Sequence, residues 1–282
     1  MVDIAPIGLS SWSFLCLPPE KAIEKVHSMG FTCVELWADS PHFWPREYLH
    51  LSKTKELKKL LKNFPDKNSI HAPVISLADK NPGFRHESVK QVIETVKLAQ
   101  ELECAYVTIH PGYLFPGMQG WSPMPNCWQW TVEAFKEITA EAEKSGVILG
   151  IENVKGQIGS SPEEMIELLR EINSPNAKIT FDISHANMEK DSRIERFIEL
   201  MPSEMIQMHL SDNMGEKDSH FPLGHGNIDF KTHIKALVNN GFCGRFIGEI
   251  LWEEKKPFVG AEKFLKLTEK YLILEEQGHP KE

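Results

Sequence analysis

A chain of 282 residues with 41% hydrophobic side chains and a mean hydropathy of -0.31 can bury one large core, and barrels of about 250 residues fold as single domains. Its formal charge of -9 and pI near 5.8 disfavour a nucleic-acid binder, since the one lysine-rich block is the helical stretch Lys53–Lys62. Neither an apolar run of roughly 20 residues nor a basic region ahead of an apolar start is present, so a cytoplasmic protein without a membrane span is expected.

In chain order, apolar periodicity and Gly/Pro punctuation predict strands at Ile7–Ser11, Thr32–Trp37, Ser69–His71, Tyr106–His110, Ile148–Glu152, Lys178–Asp182, Ile206–His209 and Phe246–Glu249. Helices are predicted between and after them at Glu20–Met29, Thr54–Asn63, Ser88–Leu102, Trp130–Ser145, Pro162–Ile172, Ile194–Met201, Phe230–Asn240 and Ala261–Glu276. Ser161 before Pro162-Glu163-Glu164 is a helix-start signature, and Gly30, Gly146 and Gly241 follow helices as stops. Regular alternation of strand and helix through residues 1–282 predicts one (β/α)8 barrel with its chemistry at the C-terminal mouth of the strands. An open doubly wound sheet is disfavoured because the first βα turn, Ser10-Ser11-Trp12-Ser13, is not glycine-rich. Five cysteines (Cys16, Cys33, Cys104, Cys127, Cys243), odd in number and never in CxxC spacing, argue for a reducing compartment and against a thiolate zinc site.

Six predicted strands end on His71, His110, Glu152, Asp182, His209 and Glu249. One histidine at a strand end is ordinarily a hydrogen-bonded structural residue. Several carboxylates and imidazoles converging on one buried mouth need cations. His185 follows Asp182 by three positions, and the long loop after His209 adds Asp218 and His220 before the Gly224-His225-Gly226 turn. An extended Asp218-Ser219-His220 would turn both functional side chains to one side. Glu152, Asp182, His209 and Glu249 make one complete ion site. His71 and His110 suggest a second ion sharing Glu152, and His185, Asp218 and His220 a third. Nitrogen and oxygen ligands without cysteine select Zn, Mn, Fe or Co over a structural zinc. Glu35 is a candidate to orient a ligand histidine from behind, Arg85 to clamp an anionic group, and Trp12 and Trp121 to contact substrate. Trp121, Trp128 and Trp130 are expected in a proline-rich loop over the mouth.

The segments HAPV (71–74), IHPG (109–112), IENVKG (151–156), FDISHA (181–186), MHLSDN (208–213), DSHFPLGHG (218–226) and GEI (248–250) resemble the barrel superfamily of endonuclease IV and the xylose isomerase-like sugar isomerases and epimerases. Similarity to endonuclease IV implies a phosphoester hydrolase with up to three zinc ions on the nine ligands above. Similarity to the epimerases implies one ion on Glu152, Asp182, His209 and Glu249, with Glu152 and Glu249 exchanging a proton at carbon. Three dications against four carboxylates would leave a positive centre suited to a phosphate, whereas one dication against three would leave a negative one suited to a neutral sugar. Filling of all nine positions puts the hydrolase first and the epimerase second. The expected substrate is a small phosphorylated or sugar molecule. Abasic DNA is disfavoured, because the DNA-reading loops of endonuclease IV have no counterpart in Ala38–Trp44 or in VISLADKNPGFR (74–85).

Overall fold

The computed structural model describes residues 5–112, 126–188, 193–251 and 257–276. Strands β1 (Ile7–Ser10), β2 (Cys33–Trp37), β3 (Ser69–His71), β4 (Tyr106–Ile109), β5 (Ile148–Glu152), β6 (Ala177–Asp182), β7 (Met205–Leu210) and β8 (Arg245–Gly248) are all parallel and close in sequence order into a barrel. Closure is made by β8 on β1, where Gly8 pairs with Ile247. Around it run α1 (Pro19–Ser28), α2 (Ser52–Leu61), α3 (Pro82–Leu102), α4 (Cys127–Ser145), α5 (Pro162–Ile172), α6 (Ile183–Asn187), α7 (Arg193–Leu200), α8 (Phe230–Asn239) and α9 (Pro257–Glu276). The (β/α)8 expectation is met. No helix among the described residues is long and apolar enough to cross a membrane.

Differences from the sequence reading lie at helix starts. The α3 helix begins at Pro82, six residues before the predicted Ser88, because Asn81 caps it by accepting from the backbone N–H of Gly83 and Phe84. Proline at the first helical position costs no hydrogen bond there, so a residue read as loop punctuation is a helix starter. The α4 helix starts at Cys127, which takes Trp128 and Trp130 out of the expected loop. Short α6 was not foreseen; it is a single turn, too brief for apolar periodicity to register.

Side chains alternate along each strand, and the alternation sorts the barrel into an apolar outer face and a polar inner one. Leu9, Val34, Leu36, Ile70, Val107, Ile109, Leu149, Ile151, Ile179 and Phe181 are buried and belong to the core that packs under the helices. The opposite parity carries Glu35, Ser69, Thr108, Thr180 and Gln207 across the middle of the barrel, where they hydrogen-bond to one another. One step further toward the mouth come His71, His110, Glu152, Asp182, His209 and Glu249. Below the middle layer, the Arg245 guanidinium lies 3.9 Å over the Tyr106 ring. A hydrophobic plug of the usual kind therefore does not fill the barrel's upper interior.

Gly150 leaves the space this polar layer uses: a Cβ there would lie 2.1 Å from Thr180 Oγ1, which is itself 3.1 Å from Thr108 Oγ1. Gly150→Ala is expected to destabilise the fold by about 1–3 kcal/mol through overpacking. Differential scanning calorimetry should read this as a fall in Tm of roughly 2–4 °C per kcal/mol.

Candidate metal centre

The strand ends deliver their side chains to one point. His71, Glu152 and Asp182 are the last residues of β3, β5 and β6, His209 is the penultimate residue of β7, and His110 and Glu249 lie one residue beyond β4 and β8. Ligand atoms of His71, His110 and Glu152 lie within 4.8 Å of one another, as do those of Glu152, Asp182, His209 and Glu249. Glu152 is the member common to both groups. Its Oε2 is 3.2 Å from His71 Nε2 and 3.0 Å from His110 Nε2, and its Oε1 is 3.2 Å from His185 Nδ1 and 3.6 Å from His209 Nδ1. Glu249 Oε1 approaches His209 Nδ1 at 3.4 Å. A third set hangs on Asp218, whose Oδ2 lies 3.1 Å from His185 Nε2 and 2.9 Å from His220 Nε2.

Each candidate ligand has a local reason for its aim. Asp182 caps α6, its Oδ1 accepting from the His185 N–H at 2.6 Å, so the unforeseen turn fixes His185 beside Asp182. His71 Nδ1 is 2.8 Å from the Ala72 carbonyl and His220 Nδ1 is 3.0 Å from the Glu249 carbonyl, which leaves each Nε2 toward the carboxylates. His220 has φ of 45°, not the extended backbone expected of Asp218-Ser219-His220. Asp218 and His220 converge instead because His220 is clamped to the chain leaving β8, its carbonyl accepting from Leu251 N–H at 2.9 Å. Buried Asp212 organises the return of this loop: its two oxygens accept from the N–H groups of Asn213, Gly224, Gly226 and Ile228. A Cβ on Gly226 would fall 2.2 Å from Asp212 Oδ1, which explains the glycine.

Burial and neighbouring charges set the proton affinities of these groups. Burial pushes the Glu249 carboxyl up to about 7, aided by Glu152 and Glu35 and opposed by His209. Burial also raises Asp182, with Glu152 and Asp218 nearby. His185 and His209 would be depressed by burial, but the surrounding carboxylates outweigh it and hold both well above the ordinary imidazole range. Burial opposes ionisation of Glu152 too, yet His110 and His209 keep it well below the usual carboxylate range. Asp182 Oδ2, His185 Nδ1, His209 Nδ1 and Glu249 Oε1 are buried and accept or donate no hydrogen bond. Four unsatisfied polar atoms converging in one buried place, all from nitrogen and oxygen donors, fit a divalent cation.

Other candidates fall at different distances from this centre. Trp12, on the turn after β1, stands edge-on to His220 with ring centroids 4.4 Å apart and lies 5.4 Å from Trp37, which in turn covers His71 at 4.2 Å. Trp37 was missed by the sequence reading, although inward parity with Glu35 on β2 marked it. Arg85 sits on α3, donates to the Asp79 carbonyl at 2.6 Å and lies 4.2 Å over the Trp130 ring, so its head is engaged there. The Trp128 indole donates to Glu171 at 2.8 Å between α4 and α5. Trp121 lies outside the described residues. Glu35, by contrast, is fully buried with Oε1 3.0 Å from His209 Nε2.

A closed parallel barrel with this cluster at the strand C-termini defines a class of barrel whose candidate chemistry is metal-assisted. The chain belongs to the xylose isomerase-like TIM barrel family, which it matches over residues 23–270. It is similar to the solved structure of a D-tagatose 3-epimerase-like protein, with a TM-score of 0.82 and 28% identity over 96% of this chain and 98% of that one. An uncharacterized protein of Methanocaldococcus jannaschii is 29% identical over 295 residues, 98% of this chain and 92% of its own. Fructoselysine 3-epimerase of Shigella flexneri is 21% identical over 246 residues (81% and 83%), and probable endonuclease 4 of Aquifex aeolicus 25% over 240 residues (79% and 83%).

Because His185, His209 and Glu249 retain protons at higher pH than such groups ordinarily do, a cation must displace them to bind. Zn2+ or Mn2+ binding is therefore expected to release protons, and apparent affinity to rise with pH, first through about 7 as Glu249 empties and further above it as His185 and His209 do. Calorimetry in buffers of different ionisation enthalpy counts the protons. A pH-independent affinity would contradict the assignment of these residues as ligands.

Proposed function

We propose that the chain is a metal-dependent isomerase or epimerase of a small sugar substrate, in which Glu152 and Glu249 exchange a proton with a substrate carbon. The observation that carries this reading is the buried tetrad Glu152, Asp182, His209 and Glu249, in which two glutamates from β5 and from the exit of β8 converge on one ion-sized space. Likeness to the D-tagatose 3-epimerase-like structure along nearly the whole chain supports it.

A divalent ion on the tetrad would polarise a substrate carbonyl and its neighbouring hydroxyl. One glutamate then removes the proton from the carbon beside the carbonyl. The electron pair passes to the carbonyl oxygen, giving an enediolate. The other glutamate, which starts protonated, delivers its proton to the opposite face of the same carbon, and the configuration inverts. His185, His71 and His110, which gather on Glu152 and Asp218, would meet substrate hydroxyls at the mouth, and Trp12 and Trp37 would lie against the apolar side of a sugar.

The hydrolase expected first from sequence becomes the second reading. A specific observation favours it: Glu152 turns one oxygen to each of two histidine sets, and Asp218 joins His185 to His220 in a third. Against it stands Glu35, whose buried charge beside His209 lowers the net charge of a fully loaded centre from +2 to +1 and weakens the case for an anionic substrate.

The two readings separate on ion count and on proton exchange. Incubating the Mn2+- or Zn2+-loaded protein with a panel of ketopentoses and ketohexoses in D2O should place deuterium at one carbon of the substrate, seen by NMR. Glu152→Gln and Glu249→Gln should each slow this by about 10²–10⁴-fold. Three ions per chain, cleavage of a model phosphodiester and no carbon-bound deuterium would put the hydrolase first.

A further inference from the structure

Beyond Ser10 and Glu35, the last paired residues of β1 and β2, a chain of side-chain hydrogen bonds carries the contact further toward the mouth. The Trp37 N–H donates to Ser11 Oγ at 2.9 Å, and Ser11 Oγ lies 3.1 Å from His42 Nε2. His42 Nδ1 is 3.0 Å from the Leu17 carbonyl. A carbonyl only accepts, so Nδ1 carries the ring hydrogen, and the Ser11 hydroxyl donates to Nε2 of the neutral ring. Ser11 and His42 are both buried. Burial favours the neutral form, holding His42 below the ordinary imidazole range against the Leu17 carbonyl and the Glu20 carboxylate. The chain ends on the turn that bears Trp12. Ser11 opens that turn, and Leu17 follows it, donating its N–H to the Phe14 carbonyl at 2.8 Å. Phe43 is buried with its ring 4.8 Å from Tyr48, so the backbone beside His42 has an anchor other than the imidazole.

What this chain fixes is part of a row of four rings. His220, Trp12, Trp37 and His71 follow one another at centroid separations of 4.4, 5.4 and 4.2 Å. Trp12 and Trp37 are half-buried and inclined to each other by 31°. We infer that His42 is a positioning residue that, through Ser11 and Leu17, sets Trp12 against Trp37 as a preformed aromatic wall for the apolar face of a sugar ring. Recognition of a sugar here rests on the function proposed above, whereas the pairing of the two indoles does not. A wall already in place spares the complex the cost of ordering two side chains. Its loss therefore weakens binding rather than the chemical step.

Indoles this close couple their electronic transitions, so circular dichroism should show a split indole band that disappears in Trp12→Phe and in Trp37→Phe. His42→Ala should lose most of this band and keep the helical signal. Ser11→Ala breaks the same chain, and the double variant should lose no more than either single one. With the metal-loaded protein and the ketose it turns over best, His42→Ala should raise KM about 2–10-fold and leave kcat unchanged. If His42→Ala lowers only the melting temperature, with the split band and KM as in wild type, His42 is a structural residue and the inference fails. Loss of the band with KM unchanged would overturn the part of the wall in binding. Should His42→Ala not fold, Ser11→Ala submits to the same two measurements. A wild type that turns over no ketose would instead count against the sugar reading, with the split band still deciding whether His42 holds the pair.

Discussion

A carboxylate buried without compensation would not stay ionised, and Glu152 is buried completely. Four imidazoles, from β3, β7, the exit of β4 and the turn after β6, answer it, two on each oxygen. That arrangement couples half the barrel to a single side chain. The strands cannot slide against one another without separating Glu152 from its histidines, since each strand contributes one residue at a fixed height. The register that closes the barrel and the register that assembles the centre are the same constraint.

Much of this was legible because both levels rest on short-range periodicity. Strand alternation places residues of one parity inside, so histidines and acids at strand ends were bound to meet once the chain was read as a barrel. Glu35 was legible for the same reason. What escaped notice depended on contacts far apart in sequence. Nothing near Gln207 announces that it will lodge between Glu35, Thr108 and His209, residues of three other strand positions. The His220 backbone turns left-handed because β8 holds it, and no local pattern in Asp218-Ser219-His220 carries that information. Arg85 read as a free cation because its partners, the Asp79 carbonyl and the Trp130 ring, emerge only when α3 and α4 pack.

Composition also misdirected where it was read locally. Proline, tryptophan and glycine clustered around residue 120 suggested a continuous loop, yet α4 begins at Cys127 and carries two of the tryptophans onto its neighbours. The polar barrel interior has the opposite character: its residues look unremarkable singly, as one serine, two threonines, a glutamine and a glutamate on separate strands. Together they form a hydrogen-bonded floor beneath the candidate ligands, where an ordinary barrel carries branched aliphatic side chains. Such a floor is rigid only while every donor has its acceptor, which ties the stability of the barrel to the orientation of its centre.

Asp212 gathers four backbone N–H groups at the two feet of the loop that bears Asp218 and His220. Anchoring from the feet separates the loop into a fixed base and a tip, where Met214 is 58% exposed and Glu216 and Lys217 are exposed with it. Residues at the tip can be exchanged or lengthened without disturbing the base, because the closure is made below them. The mouth of this barrel thus has a built-in site of variation, a segment whose exposed side chains can change while the anchorage beneath them stays in place.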